Sequence, residues 1–180
     1  MSAVRKLSEQ QIWEGTVITV AQGRFASPDG DEFQRDVVHH PGAVSVVPFL
    51  EEERAVLLLR QYRAAVDAEL LEIPAGKLDV DGEGSEATAR RELEEEVGLR
   101  AGRLEKLGEF YNSPGFSDEH SVVYLGRDLE RCQTSLQGVE EQHMTVEQVA
   151  LDDVPGLIAS GHIVDAKTII GLCLARQALA

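Results

Sequence analysis

Cysteine is scarce: of 180 residues only Cys132 and Cys173 carry a thiol, and they form no CxxC pair. That excludes a disulfide framework and a cysteine-ligated zinc site, and a reducing, cytoplasmic setting is expected. Long apolar runs are missing as well. No stretch approaches the ~20 residues that cross a bilayer, and the opening MSAVRKLSEQQ lacks the apolar core of a signal peptide. Basic residues are outnumbered, with 17 Lys and Arg against 32 Asp and Glu and a net charge of −15. This imbalance opposes binding to nucleic acid or an anionic membrane. An anionic ligand would need a local basic patch or bound cations. There is no GxSxG nucleophile elbow, and Gly76-Lys77 lacks both the glycine loop and the hydroxyl residue of a phosphate-binding P-loop. A calcium loop around Asp79-Val80-Asp81-Gly82 fails because Lys77 and Thr88 would fill its first and twelfth positions. The five histidines show no metal-ligand spacing.

What is present suits one globular domain with a real core: 43% of residues are apolar and 27% charged. Ile12 to Val20 alternates and is rich in β-branched residues, Pro28-Asp29-Gly30-Asp31 marks a turn, and Phe33 to His39 returns. Residues 1–40 are therefore expected to form a β-hairpin extension that packs on a neighbour such as a second subunit, since a hairpin alone buries little. Residues 41–180 form the main domain. Its strands are expected at Ala43 to Phe49, Ala55 to Arg60, Leu70 to Ile73, Leu104 to Tyr111, Ser121 to Gly126 and Met144 to Ala150. Helices are expected at Val154 to Ser160 and Asp165 to Leu179. Strands, a central helix, more strands and a closing helix give an α/β class with a mixed sheet between helices.

The central helix is the most informative stretch. It is expected to start at Ser85 as N-cap and to stop at Gly98, with Ala89, Leu93 and Val97 as its apolar stripe. Glu92, Glu95 and Glu96 then share one flank. Carboxylates that close repel one another, and a hard, oxygen-seeking cation such as Mg2+ would relieve the repulsion. On spacing alone, a solvated acidic face, the usual fate of a run of glutamates, is the simpler account. Arg91, four residues before Glu95, either holds that glutamate in place or makes an ordinary surface ion pair.

The longer pattern separates these readings. Gly76, Glu83, Arg91-Glu92-Leu93, Glu95-Glu96 and Gly98-Leu99 together resemble the Nudix box, the signature of hydrolases acting on nucleoside diphosphates linked to another group. The seven residues between Glu83 and Arg91 match that pattern; the six between Gly76 and Glu83 are one more than it places there. The resemblance implies a Nudix-like α/β/α sandwich with the box on a loop and helix, and Mg2+, or Mn2+, held by Glu92, Glu95 and Glu96. Arg60-Gln61-Tyr62-Arg63 and Leu71-Glu72-Ile73-Pro74-Ala75-Gly76 look like the approach to the box in the ADP-ribose pyrophosphatase branch. So does Pro114, about sixteen residues beyond the box, with Gly115 beside it.

That branch implies a metal contact from the Ala75 carbonyl, a phosphate contact from Arg63, and a substrate or water contact from Glu72. It also implies a loop glutamate, Glu140 or Glu141, as general base. Gln142 stands where some members carry a further metal carboxylate. Arg35 could reach a phosphate or the adenine if the hairpin crosses to a partner's site, and Trp13 offers a stacking surface. The expected reaction is hydrolysis of ADP-ribose to AMP and ribose 5-phosphate by a homodimer. The rival readings are a Nudix hydrolase of a nucleotide sugar or dinucleoside polyphosphate, and a non-catalytic nucleotide-sensing module.

Overall fold

A computed structural model describes residues 3–134 and 143–180. The chain divides into two compact units, one comprising the residues up to Gly42 with Tyr111–His120, the other Ala43–Phe110 with Ser121–Ala180.

In the first unit, β1 (Arg5–Glu14), β2 (Thr19–Ala26) and β3 (Glu32–His39) form an antiparallel sheet in the order β1-β2-β3. This corrects the two-stranded hairpin expected from sequence. The run Ile12 to Val20 is not one strand but the end of β1, a turn closed by the Gly15 N–H to the Ile18 carbonyl (2.9 Å), and the start of β2. β-branched residues continue through the turn, so alternation alone hides it. The Pro28-Asp29-Gly30-Asp31 turn joins β2 to β3, closed by Ser27 N–H to the Asp31 carbonyl. All ten residues of β1 are exposed, Ile12 and Trp13 among them.

The loop after Tyr111 belongs to this unit. Val38 N–H donates to the Phe116 carbonyl and Asp118 N–H to the Val38 carbonyl (2.8 and 3.1 Å), so the loop zips onto the end of β3. His39 fastens it. Its Nδ1 lies 2.5 Å from Asp118 Oδ2 and its Nε2 3.1 Å from Glu9 Oε1.

The second unit holds the larger sheet. Its strands are β4 (Ala43–Leu50), β5 (Ala55–Arg63), β6 (Ala68–Glu72), β7 (Ala75–Lys77), β8 (Leu99–Tyr111), β9 (His120–Arg131) and β10 (Thr145–Ala150). The order is β10-β5-β4-β9-β8, with β6 added on β5 and β7 on β4. β4 and β9 run parallel while β4 and β5 run antiparallel, which makes the sheet mixed. The helices are α1 (Ser85–Glu92), α2 (Val154–Ala159) and α3 (Ala166–Ala178).

Alternation along the central strands assigns the faces. Val44, Val46, Val122 and Tyr124 pack with Ala89 and Leu93 of the box helix. Their neighbours Val47, Phe49, Val123 and Leu125 pack with Val154 of α2 and with Leu172 and Ala175 of α3. A sheet covered by helices on both faces is the α/β/α sandwich expected.

Candidate active site

The box begins on β7 and ends on the helix lying against it. Two details of that helix differ from expectation. Gly84, not Ser85, is the N-cap; Ser85 is the first helical residue, and its Oγ lies 2.8 Å from the Tyr124 hydroxyl. After Glu92 the α-helix widens into a π-helical turn over Leu93–Val97. Such turns occur mostly as single bulges, frequently at functional sites. Gly98 ends the turn at φ 67°, the left-handed conformation that favours glycine. The anchors are Ala89 and Leu93, both fully buried beneath the acidic face.

From that wide turn three consecutive glutamates leave for three partners. Glu94 takes two bonds from Arg100, Nε at 2.9 Å and Nη2 at 3.1 Å. Glu95 Oε2 accepts from Arg91 Nη1 at 3.1 Å. Glu96, only 9% exposed, accepts from the Ala75 backbone N–H at 3.0 Å. Glu92 lies against the backbone at Gly76 so closely that a Cβ there would fall 2.0 Å from its carboxyl carbon. With no Cβ at Gly76, the Glu92 carboxyl packs directly on the backbone there, and Glu92 and Glu96 flank the strand segment Ala75-Gly76.

Arg91 is the hub. Its Nη1 is 2.8 Å from Glu92 Oε1, and its Nη2 is 3.2 Å from Glu83 Oε2. Thr88 Oγ1 also donates to Glu83 at 3.0 Å. The extra residue upstream is absorbed by a turn in which Glu83 N–H donates to the Val80 carbonyl (3.1 Å), and Glu83 still reaches the arginine. Burial opposes the charge on Arg91, but the hydrogen bond to Glu83 and the fields of Glu92, Glu83 and Glu95 outweigh it and raise its pKa. The hydrogen bond from Arg91 likewise holds Glu83 below the usual carboxylate range.

Among the described residues no three His, Cys, Asp or Glu side chains are already gathered as a metal cage. The cationic Arg91 lies among the carboxylates instead. The donor chemistry nevertheless fits a hard divalent cation. Glu92 and Glu96 border a backbone segment kept clear by Gly76, so carboxylate and carbonyl oxygens are the ligand types on offer.

A second polar cluster lies where β6 leads into β7. Arg63 donates to Glu72 through Nε and Nη2 at 2.8 and 2.7 Å. Glu72 is 2% exposed and also accepts from Lys167 Nζ. Burial pushes the Glu72 carboxyl up, but the Arg63 bonds and the Lys167 charge prevail and hold it below the usual range. Lys167, Asp165 and Thr168 were not among the sequence candidates. Asp165 does carry a local capping signal: it accepts from Thr168 N–H at 2.9 Å at the start of α3. The contact of Lys167 with Glu72 spans 95 residues and leaves no local trace.

Four sequence candidates lie in the other unit. Trp13 is 54% exposed on β1. Arg35 stands over the Phe33 ring at 4.8 Å and donates to the Gln34 carbonyl. Pro114 and Gly115 form the turn of the loop held by His39. Glu140, Glu141 and Gln142 lie outside the described residues.

The NUDIX domain model matches residues 39–170, most of the chain and the whole of the box. The chain belongs to the Nudix family. Among relatives of this Nudix chain, the ADP-ribose pyrophosphatase of Bacillus subtilis (strain 168) is 38% identical, over 91% of this chain and 88% of the relative. The ADP-ribose pyrophosphatase of Mycobacterium tuberculosis is 34% identical, over 92% and 80%. A solved structure of an ADP compounds hydrolase superposes with a TM-score of 0.86, covering 99% of this chain and 95% of that one. At 22% identity that likeness speaks for the fold.

Proposed function

We propose that the chain is a Nudix pyrophosphohydrolase that hydrolyses the pyrophosphate bond of ADP-ribose to AMP and ribose 5-phosphate. The observation that carries this is the box as folded: Glu92 and Glu96 border Ala75-Gly76 while Arg91 gathers Glu83, Glu92 and Glu95. Among the relatives more than 30% identical over nine-tenths of the chain are two ADP-ribose pyrophosphatases, which supports the substrate.

Glu92, Glu95, Glu96 and the Ala75 carbonyl would hold Mg2+, with Mn2+ as an alternative. A divalent cation supplies charge neutralisation at the pyrophosphate oxygens and makes water a better nucleophile at neutral pH. Arg91 spaces and orients the glutamates. Arg63 takes a phosphate oxygen through its planar donors. Glu140 or Glu141 takes the proton of the attacking water as a P–O bond to the bridging oxygen breaks. Arg35 is assigned to a phosphate or the adenine across a homodimer, Trp13 to stacking on the adenine, and Pro114 and Gly115 to further substrate contacts. The fully exposed β1 supports that assembly, with residues 1–40 as its dimerisation element. No helix among the described residues is long and apolar enough to cross a membrane, and a cytoplasmic setting is part of the proposal.

The test is product analysis after incubation with Mg2+ and a panel of nucleoside diphosphate derivatives. AMP and ribose 5-phosphate from ADP-ribose, ahead of all other compounds, is the expected result. Faster cleavage of a nucleotide sugar or a dinucleoside polyphosphate would keep the chemistry and overturn the substrate. No cleavage with any divalent metal would overturn the enzyme and favour a sensing module. Comparing Glu140→Gln with Glu141→Gln identifies the base as the one whose loss removes most of kcat.

A further inference from the structure

Lys167 occupies a place that its own helix disfavours. It is the second residue of α3, in the first turn, where the helix dipole favours acidic side chains and opposes a cation. Capping does not need it, because Asp165 already accepts from the backbone N–H and the hydroxyl of Thr168, at 2.9 and 2.6 Å. The Lys167 side chain is only 13% exposed, so its charge is also largely removed from water. Both costs are offset by its partners, Glu72 and, at 3.0 Å, Asp165.

Glu72 is, among the described residues, the most deeply buried ionisable side chain. Its Oε2 receives both Arg63 Nη2 and Lys167 Nζ, while Oε1 receives Arg63 Nε. Arg63 is bound along one edge, its side chain remains 40% exposed, and it lies within the field of Glu96. Among the described residues the Nη1 edge has no hydrogen-bond partner. A carboxylate served by Arg63 alone would draw the guanidinium inward and take its full charge. Sharing the carboxylate with Lys167 leaves more of the Arg63 charge for an incoming anion.

We propose that Lys167 is a positioning residue for substrate. It fixes the Glu72 carboxylate, and through it holds Arg63 with the Nη1 edge available to a phosphate oxygen of a nucleoside diphosphate. This rests on the assignment of Arg63 as a phosphate contact made above.

The experiment is steady-state hydrolysis of ADP-ribose by the full chain with Mg2+. Lys167→Met is expected to raise KM about tenfold and to change kcat by less than about threefold, the signature of lost ground-state binding. Lys167→Arg restores a cation and should bring KM back to within about threefold of the parent. In a double variant with Arg63→Gln, Lys167→Met should raise KM no further than Arg63→Gln alone, because the lysine acts through the arginine. An unchanged KM in a folded Lys167→Met protein, or full additivity with Arg63→Gln, would overturn the proposal. An Arg63→Gln protein with parental KM would instead overturn the phosphate assignment of Arg63, a separate failure. If Lys167→Met does not fold, Lys167→Gln takes its place, with KM expected to rise in the same direction.

Discussion

Glu94, Glu95 and Glu96 are consecutive and chemically identical, yet their substitutions should behave differently because each faces a different partner. Glu96 touches the Ala75 backbone N–H. Glu96→Gln should lower kcat by about a hundredfold or more while circular dichroism and the melting temperature stay near parental values. Loss of the fold with the activity would mean the cluster is structural. Glu94 is paired with Arg100 on the outside; Glu94→Gln should leave kcat within about twofold, as for other exposed pairs. Gly76→Ala carries a steric prediction. The added Cβ would meet the end of the Glu92 side chain and push its carboxylate off this position, so kcat should fall with little change in stability. A parental kcat in that variant would show that Glu92 has room to move aside. The candidate glutamates were legible in the sequence because helical spacing is a local property. Their separate directions were not, because they depend on the π-helical turn and on contacts with β7 and Arg100.

Leu93 anchors that turn in the core, and Gly98 ends it in a left-handed conformation. Leu93→Ala should cost about 2–5 kcal/mol in a denaturant titration and lower kcat as the acidic turn loosens. Gly98→Ala should cost about 1–2 kcal/mol for the left-handed conformation, with further loss because its Cβ would come 2.8 Å from Thr134 Cγ2. The loop carrying Pro114 is governed by His39 in a different way. The hydrogen bond to Asp118, with a further one to Glu9, raises the His39 pKa above its ordinary 6.5. The clasp is therefore complete below pH 6.5 and is lost as pH rises through the elevated pKa. Amide exchange at Asp118, corrected for its intrinsic pH dependence, should be slowest at the acid end of that range and accelerate above it. A pH-independent protection factor would rule the clasp out. In the sequence His39 and His40 simply precede Pro41-Gly42 and show no metal-ligand spacing. A partner 79 positions away has no local signature. The N-terminal strands were misread for the opposite reason, since a local pattern ran smoothly across a turn.

For the molecule as a whole, Glu72 links acid stability to architecture. Its folded pKa lies below the ordinary 4.5, so its contribution is present above pH 4.5 and is lost as pH falls through the depressed value. The difference in melting temperature between the parent and Glu72→Gln should accordingly shrink below pH 4.5; a constant difference would contradict this. The layered fold was legible because alternation within β4 and β9 assigns each residue to one helical face or the other. How α3 meets the strand leading into the box was not, since its hydrogen bonds there are long-range. Thr168 Oγ1 accepts from the Ile73 N–H at 3.0 Å, beside the contact of Lys167 with Glu72, and each spans 95 residues. During synthesis on the ribosome this separation becomes a delay. The strand that leads into the box emerges long before its clamp, and Glu72 and Ile73 must wait for nearly a hundred further residues. The nascent chain cannot close the contacts of Lys167 and Thr168 with that strand until α3 has cleared the exit tunnel.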